Sequence, residues 1–173
     1  MSPGPVREAL RTLAGEGLVI ALPQRGYRVR PLSRTEFDDV YRWRMELDPT
    51  AARDASEHMS DAQRAAMRQT LDNWREAFGR EDWDGVNDNH RQFHVIAYEA
   101  CSSPWLRSTT ISLWDASVRY QAIASRSRDI EVYLAEHEAF MEALTAGAGD
   151  RAAEIVTSML QGTVDFMKGR MLP

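Results

Sequence analysis

Residues 5–19 read PVREALRTLAGEGLV, and the chain is best read outward from them. Val6, Leu10 and Leu13 recur at i, i+4 and i+7, which sets them on one face of a helix and leaves Arg7 and Arg11 on the other. Gly15 and Gly17 stop this helix, because glycine adopts the left-handed backbone that closes a helical C-terminus. Leu18 to Leu22 then read as a short apolar strand that turns through Pro23-Gln24-Arg25-Gly26 into Tyr27-Arg28-Val29-Arg30. In that return strand Tyr27 and Val29 share one face, and Arg28 and Arg30 the other.

A helix with a basic outer side followed by a basic hairpin is the second half of a winged helix-turn-helix, a recognition helix and its wing. PVREALRTLAGEGLV together with the wing PQRGYRV resembles the GntR family of bacterial transcription regulators. The resemblance implies that the helix enters the major groove through its N-terminal residues, with Ser2, Gly4 and Arg7 near phosphates or base edges and Arg25 and Gly26 near the minor groove. Pro3 departs from the polar or basic residue common in the family. The family also carries roughly two more helices ahead of this one, which supply the core for Val6 and Leu10. Nothing precedes Met1 in this sequence, so the head is read as truncated and its apolar side as lacking a partner, which leaves helix and hairpin either poorly ordered or resting on the next domain.

Charge divides the chain in the same place. Residues 1–30 hold five arginines against Glu8 and Glu16, a local +3, which leaves −8 for the remainder of a chain whose net charge is −5. A polyanion-binding surface therefore belongs to the first segment, and the bulk is a poor partner for nucleic acid. Cys101 is the single cysteine, so no internal disulfide forms and a reducing cytoplasm is the expected compartment. No apolar run reaches the length of a membrane span, and no membrane partner is expected. With 173 residues and 43% hydrophobic content the chain can bury one substantial core and little more.

From Ser33 onward the chain reads as helix after helix. Ser33 with Glu36 and Ser60 with Gln63 form capping boxes, and Ser103 followed by Pro104 sets an N-cap with proline in the first turn. The spans expected are 34–57, 60–78, 82–100, 104–125, 129–146 and 150–168, broken at Gly79-Arg80-Glu81 and Gly147-Ala148-Gly149. Apolar stripes run through Phe37, Val40, Leu47 and Ala51 in the first of these, and through Met67, Leu71, Trp74 and Phe78 in the second. The fold class is mainly α: an antiparallel bundle of six to seven helices behind a partial winged helix-turn-helix, divided into domains at 1–32 and 33–173.

Histidines interrupt two of the stripes. Trp83, Val86, His90, Phe93 and Ala97 share a face, with His94 one turn beyond His90, and i, i+4 spacing sets two imidazoles about 5–6 Å apart at Cβ. The stripe Ile130, Tyr133, His137, Phe140 and Leu144 carries the third. Imidazoles from separate helices facing one interior can share a divalent transition metal, zinc or nickel, with positions left open for water or a carboxylate. The same groups can equally bind an acidic effector by hydrogen bonds alone. His58 sits at a helix end beside Glu57 and reads as solvated.

The order of these parts, with YRWRMELDPTAARDA opening the bundle and Phe93-His94 in its third helix, resembles the FCD ligand-sensing domain of FadR-type GntR regulators over roughly residues 34–168. In metal-binding members an aspartate and three histidines converge at the bundle centre. By that pattern His94 and His137 match ligands, His90 stands where aspartate is usual, and Gln161 stands where the last histidine is usual. Arg44 lies on the first apolar stripe, where a cation needs an anion: an acidic effector or, one turn along, Asp48. The resemblance also points Arg119 toward the pocket, although Asp115 at i−4 can neutralise it. Arg44, Arg119 and Gln161 are thus the effector candidates, with Trp114 and Tyr98 as possible walls or ordinary core. The function expected is a homodimeric regulator that binds operator DNA and a small carboxylate effector; the alternative is a sensor module without DNA binding. An enzyme is disfavoured, because no general base or nucleophile is suitably set beside the histidines.

Overall fold

The computed structural model describes residues 3–15, 17–126 and 129–170. Helix α1 (Pro3–Gly15) leads into a two-stranded antiparallel hairpin, β1 (Val19–Leu22) and β2 (Gly26–Val29), paired Val19 with Val29 through Leu22 with Gly26. The turn between them needs left-handed backbone at Gln24 (φ 59°) and Gly26 (φ 82°), which asparagine-like and glycine residues supply most readily. The expected alternation in β2 does not translate into burial. Val29 is 70% exposed while Tyr27 and Arg30 are half-buried, since among the described residues no sheet or helix covers Val29. In α1, Val6 is exposed and Leu10 and Leu13 are only half-buried, so the helix does lack a full apolar partner among the described residues.

Six helices follow: α2 (Arg34–His58), α3 (Asp61–Gly79), α4 (Trp83–Glu99), α5 (Pro104–Ser125), α6 (Ile130–Thr145) and α7 (Gly149–Lys168). Their ends fall within two residues of the sequence expectation because caps are local. Ser60 and Gln63 form a complete capping box, and Ser103 caps α5 ahead of Pro104. Ser33 makes only half of one. Its hydroxyl accepts from Glu36 N–H, but the Glu36 carboxylate turns away to Arg119 and Tyr120. Asp82 and Asp129 cap α4 and α6. Helix α2 runs through Pro49, forgoing one backbone hydrogen bond, and is held by packing against α7 and α5.

Helix α3 lies along α4, and α6 bridges α7 and α3. Trp74, Val86, Phe93, Trp114, Phe140 and Leu144 anchor the main core, and a smaller cluster of Phe37, Tyr41, Tyr120, Leu160 and Met167 closes the end beside the linker. Gly149 lets α7 start hard against α2: a Cβ there would meet Ser56 Oγ at 2.8 Å and Arg53 Cα at 3.2 Å. Among the described residues no helix is long and apolar enough to cross a membrane.

Candidate metal centre

Helical periodicity brings His90 and His94 of α4 and His137 of α6 to the middle of the bundle, all three buried. Each offers a ligand atom, and these atoms lie within 4.8 Å of one another. His94 Nε2 lies 3.2 Å from His137 Nε2. His137 Nδ1 faces the Tyr133 carbonyl at 2.7 Å. A carbonyl only accepts, so Nδ1 carries the proton and the Nε2 lone pair of His137 points inward. The Tyr133 hydroxyl stands 3.2 Å from His90 Nε2. One residue of α6 thereby touches two of the three histidines.

Aromatic rings pack around the cluster. Trp74 stacks on His90 with ring centres 4.7 Å apart and meets His137 edge-on at 4.7 Å, while Trp114 lies 5.2 Å from His90 and 5.6 Å from His94. Burial pushes the His94 imidazole well below its ordinary range, and neighbouring His90, His137 and Arg44 push it further the same way. Its neutral form is the ligating form. His94 Nδ1 is buried without a hydrogen-bond partner, as are Trp74 Nε1, Trp114 Nε1 and Gln121 Oε1 around it.

These donors suit zinc or nickel. Two imidazole nitrogens on one tetrahedral zinc, each at about 2.0–2.1 Å, stand roughly 3.4 Å apart, close to the His94–His137 separation. The cavity they line with Arg44, Gln121, Tyr133 and Leu160 has a volume of about 20 Å³. That is room for one water-sized occupant, which needs about 10–15 Å³ on the same measure, and far below the roughly 300 Å³ of a pocket for an organic ligand. Three neutral imidazoles bring no negative charge, so a divalent ion held here calls for an anion from elsewhere.

Arg44 lines the same cavity, yet its charge already has a partner. Its Nε and Nη2 donate to Asp48 Oδ2 at 3.1 and 2.7 Å, and Nη1 donates to Ser117 Oγ at 2.7 Å. Tyr98 donates to the same Asp48 oxygen at 3.0 Å. Burial is the largest single influence and opposes the guanidinium charge, but Asp48 together with Tyr41 and Tyr98 outweighs it and the net shift is upward. Burial also raises the Asp48 carboxyl, against the pull of Arg44. Because arginine keeps its proton in proteins, a protonated Asp48 would leave a lone buried cation, so the pair is ionised at neutral pH.

Two effector candidates lie elsewhere. Gln161 is exposed and donates to Asp165 at 2.8 Å; the α7 residues facing the cavity are Val156, Met159, Leu160 and Thr163, so the helix is turned away from the expected register. Arg119 points to the linker, donating to the Arg30 carbonyl at 2.7 Å and to Glu36 Oε2 at 2.7 Å. Asp115 does not neutralise it, being taken by Arg91 of α4 at 2.6 Å. Trp114 packs on His90 and His94, and the Tyr98 ring lies 6.0 Å from that of His94, but neither is among the residues that line the cavity. Sequence reasoning missed Tyr133 and Ser117; Tyr133 had a signal, one turn before His137 on the same stripe, and Ser117 had none. His58 is exposed and bonds the Asp54 carbonyl at 2.7 Å. Of the nucleic-acid candidates, Gly4, Arg7, Arg25 and Gly26 are all exposed, and Ser2 lies outside the described residues.

The model of the FCD domain matches residues 39–162. The chain belongs to the FCD family. Within the GntR class of transcription regulators to which such domains attach here, the HTH-type transcriptional repressor GlaR of Escherichia coli K12 is 28% identical over 182 residues, covering 97% of this chain and 80% of that protein. The structure of E. coli McbR/YncC superposes with a TM-score of 0.83 at 20% identity, over 98% of this chain and 82% of that one. A GntR regulator from Rhodococcus sp. RHA1 gives 0.79 at 22% identity, over 99% and 83%. At those identities the structural likeness speaks for the fold. The histidine cluster lies inside the bundle that the FCD domain spans, and the chain's relatives are transcription regulators.

Proposed function

We propose that this FCD protein is a metal-assisted effector sensor of the FadR type, in which residues 1–32 serve as a DNA-binding head and residues 33–173 as the sensing and dimerising domain. His90, His94 and His137 hold zinc or nickel, and a small carboxylate, which the chamber must widen beside Arg44 to admit, supplies the missing negative charge. The observation that carries this reading is the convergence of three buried imidazole nitrogens within 4.8 Å around a cavity sized for one ion. When bound, the metal supplies a Lewis-acidic position for an anion. The residues of the chain do the rest: Tyr133 sets the His137 tautomer, Trp74 and Trp114 pack around the imidazoles, and Asp48 holds Arg44 in place.

The head contributes exposed Gly4, Arg7, Arg25 and Gly26, with Ser2 assigned beside them, toward the operator of a cytoplasmic homodimer. Metal content of tag-free protein after incubation with zinc is the test. One zinc per chain, lost in His137→Ala, supports the reading; a content near zero overturns it. In that event the second reading holds, a metal-free pocket, which the direct His94–His137 contact favours. Gel-shift binding at low salt, where phosphate contacts are strongest, separates a DNA-binding regulator from a sensor module without DNA binding.

A further inference from the structure

We propose that α5 is the rod joining the histidine chamber to the head, with Glu36, Arg119 and Tyr120 as a clasp that holds the linker against it. The chamber end of this inference rests on the sensing role proposed above. The clasp itself stands on its own contacts.

The hairpin ladder ends where Arg30 N–H donates to the Leu18 carbonyl at 3.0 Å. Beyond that point the linker carbonyls have no strand to pair with, and backbone acceptors need donors. Side chains of α5 provide them. Arg119 Nη1 donates to the carbonyls of Arg30 at 2.7 Å and Pro31 at 3.3 Å, and its Nη2 donates to Glu36 Oε2 at 2.7 Å. The Tyr120 hydroxyl lies 2.8 Å from Glu36 Oε2 and 3.1 Å from the Ser33 carbonyl, and accepts from Ser33 N–H at 3.3 Å. This is why the expected capping box at Ser33 is half made: the tyrosine takes the N–H that Glu36 would have served, and Glu36 joins the clasp. The linker is a docked segment and not a loose tether.

The same helix touches the chamber. Trp114 packs on His90 and His94, Ser117 accepts from Arg44 at 2.7 Å, and Gln121 lines the cavity. Ser117 lies only about 3–4.5 Å along the helix axis from Arg119 and Tyr120. Any occupant that draws Arg44 off Ser117, or shifts Trp114, therefore moves the clasp residues with it, because a packed helix moves as a body. Occupancy biases the linker to the extent that it favours one seating of α5 over another.

Hydrogen exchange of the linker amides 33–37 in the full chain tests this. Arg119→Met should raise exchange there about fivefold, as expected for loss of one net hydrogen bond, and Tyr120→Phe should raise it in the same segment without risk to the fold. Ser117→Ala should raise exchange at those amides in the wild-type background and add nothing in Arg119→Met. Unchanged linker exchange in both clasp variants overturns the clasp, and effects of Ser117→Ala that multiply with those of Arg119→Met overturn the rod. Zinc alone, where it binds, should alter linker exchange in the wild type and not in Ser117→Ala; zinc bound with the linker unaltered also overturns the rod. Absence of zinc binding sinks the metal reading, while the variant cycle still decides the clasp.

Discussion

Acid should unfold the metal-free protein through His94 in a calculable way. The imidazole is buried and held well below 6.5 by burial and by His90, His137 and Arg44, so the folded state keeps it neutral while the unfolded chain protonates it near 6.5. A depressed histidine pKa means that the unfolded state binds more protons, so stability falls as pH drops below 6.5 and is unaffected well above it. Between pH 7 and pH 5 the protonation of one such histidine in the unfolded chain costs at most about 2 kcal/mol, reached when the folded imidazole stays neutral throughout. At this chain length that is a fall in Tm of roughly 4–8 °C. The assay is urea denaturation of chelator-treated protein at both pH values, for wild type and His94→Gln. Wild type should lose up to about 2 kcal/mol more than the variant on acidification. Equal losses would refute the reasoning, since they would mean that His94 takes up its proton in the folded chamber without resistance.

Three further outcomes follow from other parts of the bundle. Asp48→Ala should cost about 3–5 kcal/mol by stranding the buried Arg44 cation, whereas Asp38→Ala, which breaks the exposed pair with Arg34, should cost about 0–1 kcal/mol; urea midpoints compare them, and similar losses would contradict the buried-pair argument. Burial, with Asp54 adding to it, pushes the Cys101 thiol up to about 12, so iodoacetamide should label the native protein at neutral pH on the order of a thousandfold more slowly than the urea-unfolded chain. Gly149→Ala should destabilise by about 1–3 kcal/mol through overpacking against Ser56 and Arg53, and an unchanged thermal midpoint would show that α7 is not seated so tightly on α2.

Helix existence, helix ends and the inward histidines could all be read from residue order, because a cap, a proline in the first turn or a 3.6-residue stripe acts within a few positions of itself. Ser60 with Gln63, Ser103 with Pro104, and His137 between Tyr133 and Phe140 are of this kind. What order could not supply is how each rod is turned about its own axis and which distant group answers each charge. A small rotation exchanges Gln161 for Leu160 and Thr163 at the cavity. Asp115 stood one turn from Arg119, yet the tertiary packing gives it to Arg91 and sends Arg119 to the linker. The chamber's small volume and the docking of residues 30–36 on α5 likewise belong to the assembled bundle. Local rules act over one turn of helix, whereas facing partners are chosen by side-chain packing across tens of residues.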